Sequence, residues 1–182
     1  MKKSLTMLFF CASLLTASDS GRLYELYQNG SYRQACDEGV VKLQKHQKDE
    51  KYISLYAFSC LQADEVDRLA LPIIMLKNSK EARKNATYFS TILLQKNLLI
   101  DALENQQSLS GLNLPSTDFV LSKVFDLFSA NHYITRNNIY VLADPANPRQ
   151  TYRIYLRASK NTYALVLDEY YDTILTKHHL YR

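Results

Sequence analysis

The residues able to do chemistry are few and thinly spread. His178 and His179 stand side by side behind Lys177, near the end of a chain with 4 histidines. A zinc site needs ligands that converge, whereas adjacent residues on a helix or strand diverge, and no carboxylate or cysteine lies at ligand spacing from this pair. The spacing predicts a solvated tail there. His46 falls in a polar turn and His132 at a change of pattern, so neither zinc nor a histidine-based triad is indicated. There is no Gly-x-Ser-x-Gly elbow and no cysteine paired to a histidine. The 4 glycines are unclustered, which excludes a phosphate loop. No cofactor or metal is expected. Carboxylate pairs occur at Asp49/Glu50, Asp64/Glu65 and Asp168/Glu169, the first two in turns or caps. Only Asp168/Glu169, beside Tyr170 and Tyr171 at a strand end, has the residue types of an acid–base site.

The N-terminus speaks to compartment. Lys2 and Lys3 precede an apolar run of 13 residues (LTMLFFCASLLTA), followed by Asp19, Ser20 and Gly21. This is the arrangement of a secretory signal peptide, expected to be cut after Ser18, with Thr16 and Ser18 as the small residues before the cut. At its helical rise the run spans roughly 20 Å, short of the ~30 Å of a bilayer core. Phe9 and Phe10 before Cys11 are too bulky for a lipoprotein signal. A periplasmic or secreted location follows, with no stable membrane span after cleavage. The remaining chain has 20 Lys or Arg against 18 acidic residues, a balance too weak to imply nucleic acid.

Cys36 and Cys60 then remain in an oxidising compartment. A helix over 31–46 and one over 51–63 flank the polar turn 46–50. In an antiparallel pair folded at residue 48, positions 36 and 60 are level with each other. That geometry predicts a disulfide staple contributing about 3 kcal/mol. A redox role would want a tighter Cys-x-x-Cys spacing.

The elements that position these residues are helical up to about residue 130. Within that part the pattern repeats at 34 and then 33 residues: Tyr27, Leu61 and Leu94 coincide, then Gly30, Asp64 and Asn97, then Tyr32, Val66 and Leu99. Large apolar residues, a turn former and further apolar residues make a helix, a turn and a helix, three times over. Stacked pairs share a core that no single pair can bury. The string from Tyr27 to Ala35 (YQNGSYRQA) resembles a tetratricopeptide repeat, and the resemblance covers about residues 22–107. The string ACDEG at 35–39 is also similar to the cysteine-bearing Sel1-like repeats, although their cysteines lie closer in sequence. Gly39 stands where the tetratricopeptide pattern has an aromatic, and Pro72 should start or kink a helix. The resemblance implies architecture and no particular ligand. A further helix, capped by Ser116 or Thr117 with Asp118 in its first turn, is expected to close the stack with Val120, Val124, Leu127 and Phe128 buried.

From residue 137 the period changes to two. Strands are expected at 139–143, at 152–157 and at 163–167, with a short helix over 169–178. The fold class is therefore α+β: a leader over 1–18, a helical-pair stack over 19–134, and a small antiparallel three-stranded unit with a C-terminal tail over 135–182. Of the 14 tyrosines, those in the repeats read as core substitutes for the absent tryptophan. Arg153, Tyr155 and Arg157 would share the outer face of the middle strand, a composition that protein interfaces favour. The sequence thus points to an exported, non-catalytic binding or scaffold protein engaging another envelope protein. The alternatives are an envelope enzyme with Asp168, Glu169 and Tyr170 lining a groove between stack and sheet, or a structural subunit of an envelope complex.

Overall fold

The computed structural model describes residues 18–159 and 162–181. The expected leader lies outside these residues apart from Ser18, whose Oγ accepts a hydrogen bond from Gly21 N at 3.1 Å and caps the first helix. The chain forms α1 (Asp19–Gln28), α2 (Tyr32–Lys42) and α3 (Glu50–Gln62), a 3₁₀ turn (Val66–Leu69), then α4 (Ala70–Met75), α5 (Lys80–Asn105) and α6 (Val120–Ser129). Five strands follow: β1 (Tyr133–Arg136), β2 (Ile139–Asp144), β3 (Asn147–Ser159), β4 (Thr162–Tyr171) and β5 (Ile174–Tyr181). They form one antiparallel sheet in chain order. The class is α+β, with five strands rather than three.

Of the three positions where the sequence period places a turn, two turn the chain. Gly30 closes α1 at φ +72°, and Asp64 closes α3 at φ +62°, the left-handed conformation in which a helix end satisfies its last carbonyls. Asn97 makes no turn, because α5 runs through it. The buried positions Ala82, Phe89, Ile92, Lys96, Leu99 and Leu103 keep one unbroken helical phase across residue 97. A lone exposed asparagine costs a helix only tenths of a kcal/mol, far less than breaking that stripe. Pro72 sits in the first turn of α4, where its missing N–H costs nothing.

Asp49 caps α3, accepting from Lys51 N and Tyr52 N at 3.1 Å each, and folds α3 back onto α2. The hairpin brings the Cα atoms of Cys36 and Cys60 to 4.7 Å and their sulfurs to disulfide distance. Gly39 leaves room for a neighbour: a Cβ there would stand 2.7 Å from Cδ2 of the buried Tyr56. Its carbonyl accepts the Tyr52 hydroxyl at 3.1 Å. The closing helix begins at Val120, later than expected, and Phe119 at its N-cap offers no side-chain cap. Thr117 Oγ1 instead accepts from Phe119 N and meets Ser122 Oγ at 2.6 Å, while Ser122 Oγ bonds Gln95 of α5. Asp118 accepts the Tyr88 hydroxyl rather than sitting in the first turn.

The helix expected over 169–178 is the end of β4, a turn at Asp172 and most of β5. Tyr170, Tyr171, Ile174 and Leu175 fit a helical spacing, but Asp172 at φ +55° turns the chain back between them. β1 was hidden in the change of pattern near 131–138. Asn137 and Asn138 both have positive φ, the pair of conformations a two-residue hairpin turn requires.

Gly39→Ala should destabilise the fold. Alanine returns up to about 1 kcal/mol of helix propensity, but a methyl forced against an immobile ring costs about 1–3 kcal/mol. Urea unfolding should show a net loss; a gain would mean that Tyr56 has room to move.

Candidate functional site

Strand register sorts the sheet into two faces. One set, Leu142, Tyr152, Ile154, Leu165, Leu167 and Tyr181, belongs to the hydrophobic core and faces α5 and α6. Phe128 of α6 stacks on Tyr133 with ring centroids 4.8 Å apart, and Phe119 meets Tyr181 edge-on. The opposite face carries a row across all five strands: Ile134, Val141, Arg153, Asp168 and His178.

The adjacent histidines are therefore part of a strand and not a solvated tail, and each meets a carboxylate. His179 lies on the inner face and is 2% exposed. Its Nδ1 is 2.8 Å from Asp64 Oδ1 and its Nε2 is 3.0 Å from Glu169 Oε1. Both partners are acceptors, so only the imidazolium cation, with a proton on each nitrogen, can donate to both. Burial alone pushes this imidazole down; the bonds to Asp64 and Glu169 outweigh it and hold the group above its ordinary value near 6.5. The same hydrogen bond, against a burial effect of opposite sign, holds Glu169 below its ordinary 4.5. Lys177 and Tyr181 complete the surroundings of the clamp. The ring of Tyr181 stacks on His179 at 5.4 Å, and its buried hydroxyl has no hydrogen-bond partner among the described residues.

Asp64 reaches His179 because the turn after α3 is itself held. Glu65 N bonds back to Cys60 O at 2.9 Å. Arg33 of α2 donates to Ala63 O at 2.9 Å and to Glu65 Oε1 at 2.5 Å. The clamp thus joins residues 115 positions apart and ties the first helical turns to the last strand. It is not a metal centre: the two carboxylates bind opposite ends of the ring and cannot converge on one ion. No group of three or more such ligands occurs among the described residues.

Asp168 and Glu169, expected to line one groove, point to opposite faces of β4 as consecutive strand residues must. Asp168 is 7% exposed on the outer face and meets His178 Nδ1 at 2.5 Å. Tyr170 shares that face and lies under the Arg153 guanidinium at 4.3 Å. The structure does place Arg153, Tyr155 and Arg157 together on the outer face, with both arginines exposed. Burial, and after it the charge of Asp168, raises the Tyr155 hydroxyl above its ordinary value. Ala164 and Val166 lie at the centre of this face, fully shielded and flanked in register by Arg157, Tyr155 and Leu180.

No protein-family model matches the chain, and comparison with curated proteins and with solved structures finds no match either. The site must therefore be read from its own geometry. A cleft of about 470 Å³ between α5 and the β3–β4 hairpin holds Lys96, whose side chain is 3% exposed and paired with Asp67. Among the described residues, none of the hydroxyls lining it is hydrogen-bonded to a basic side chain. No helix among the described residues is long and apolar enough to cross a membrane.

The clamp makes stability depend on pH in a defined direction. The His179 contribution is full below its unfolded value near 6.5 and is lost as pH rises through its raised folded value. The Glu169 contribution is full above 4.5 and is lost as pH falls through its depressed folded value. Between those limits, His179→Ala should cost about 3–5 kcal/mol, because two carboxylates lose their shared cation. Denaturation across pH should show this deficit shrinking as the solution becomes alkaline; a deficit that grows with pH would contradict the charged clamp.

Proposed function

We propose that the chain is an exported, non-catalytic binding protein that docks an envelope protein on the outer face of its sheet. The observation that carries the reading is the outer row itself. Arginine, tyrosine and branched aliphatic residues are gathered on one face, while the helices pack on the other. Arginine and tyrosine dominate the energetic centres of protein interfaces: tyrosine presents a large contact area with few lost rotamers, and arginine a planar fork of donors. Ile134 is 57% exposed and Leu175, in register with Tyr170, is 50% exposed, so the face offers apolar area as well as charge.

In this reading the leader directs the chain to the periplasm or beyond and is removed after Ser18. The Cys36–Cys60 pair is oxidised there and fixes α2 against α3. The helix pairs stack in the manner of tetratricopeptide repeats and act as the platform that carries the sheet. Their job within the molecule is rigidity: the platform holds Asp64, and through it the sheet.

A photo-reactive residue placed at position 155 tests the proposal in intact cells. Irradiation should capture one dominant envelope protein from position 155. The same probe at Val41, 79% exposed on α2, should capture none of it. Equal capture from both positions, or none from position 155, would contradict docking on this face.

A further inference from the structure

The docking face has a charge asymmetry that specifies its partner. On the helices and at the β4–β5 turn, four arginines are answered by carboxylates, and Arg83 donates to the carbonyls of Lys77 and Asn78. Arg22 pairs with Glu25 and Glu38, Arg33 with Glu65, Arg68 with Asp37, and Arg149 with Asp172. Arg136, Arg153 and Arg157 are exposed on the outer face, and none of the three meets a carboxylate among the described residues. Arg153 lies directly opposite Asp168 in register, yet its guanidinium rests on the Tyr170 ring, with Nη1 3.3 Å from the Tyr170 hydroxyl. Asp168 is occupied by His178. The face therefore presents three unanswered guanidinium groups and no exposed carboxylate partner for them.

We propose that the outer face binds an acidic protein segment bearing aromatic or aliphatic side chains, a proposal that rests on the docking role given above. Guanidinium groups recognise carboxylates through two parallel hydrogen bonds, so discrete Asp or Glu side chains suit them geometrically. Arg153 and Arg157 stand four residues apart on β3, roughly 13 Å at the rise of a strand. An extended segment lying along β3 meets both with acidic residues at the same interval. The half-exposed ring of Tyr155, midway between the two arginines on the same face, receives the apolar side chain that such a segment carries in the middle.

Three synthetic peptides test the proposal. They share one scaffold of Leu, Phe and Tyr and carry Glu, Gln or Lys at all other positions. Each is titrated into the isotope-labelled protein, with amide shifts read at β3 and β4. The Glu peptide should perturb Tyr155, Val166 and their neighbours, bind less tightly as salt rises, and lose about tenfold or more in affinity on the double change Arg153→Glu, Arg157→Glu. The milder Arg153→Gln, Arg157→Gln pair should also weaken it, with an unchanged melting temperature showing an intact fold. Arg22→Glu, on α1, should leave binding unaltered. Tighter binding of the Gln or Lys peptide at this face overturns the acidic assignment and leaves the docking role standing. Phosphatidylglycerol vesicles perturbing β3 in place of any peptide would assign the face to a membrane and overturn it as well. Silence from all three peptides, with capture still seen from position 155, overturns the acidic segment alone. Silence in both experiments removes the docking role itself.

Discussion

One buried cation holds the two halves of this protein in register. The imidazolium of His179 donates to Asp64 on the helical side and to Glu169 within the sheet, and it is shielded from water. A buried charge is tolerated only when its hydrogen-bonding capacity is met, and here both ring nitrogens are met by carboxylates. Because imidazole is planar, the two bonds fix the direction of the ring and not only its position. Apolar packing of α5 and α6 on the inner face supplies most of the cohesion, but it is non-directional. The clamp selects one docking of the sheet among the many that would bury similar area.

That selection decides what faces solvent. With Tyr152, Ile154, Leu167 and Tyr181 turned to the helices, the alternate residues of the same strands must turn away, because side chains in a strand alternate strictly. Arg153, Tyr155 and Arg157 are thus outward as a consequence of what is inward. The same alternation places Asp168 and His178 outside and Glu169 and His179 inside. Two neighbouring His residues and two neighbouring acids therefore yield one interior clamp and one pair on the outer face.

Much of this was legible in the sequence where local pattern governs structure. The α2–α3 hairpin followed from a polar turn between apolar runs, and with it the proximity of Cys36 and Cys60. The outward row on β3 followed from alternation over residues 152–157. What was not legible depends on partners distant in the chain. Asp64 reads as a turn former beside the end of α3, and nothing near it announces an imidazole 115 residues away. His178 and His179 read as a tail because polar residues fill the middle of β5 and the strand is exposed over most of its length, as an edge strand can be. The run 170–175 has a spacing compatible with a helix, and only the turn at Asp172 decides otherwise. Asn97 shows the converse error: a residue of turn-forming type was overruled by the unbroken apolar stripe of α5.

The ionisation of His179 is the most direct test of this account. Nitrogen resonances of its ring, followed across pH, report how many protons the imidazole carries. The account predicts two protonated nitrogens and a midpoint above 6.5, with Asp64→Asn and Glu169→Gln each lowering it. A midpoint at or below 6.5, with a neutral ring donating a single bond, would mean that no buried cation joins the helices to the sheet.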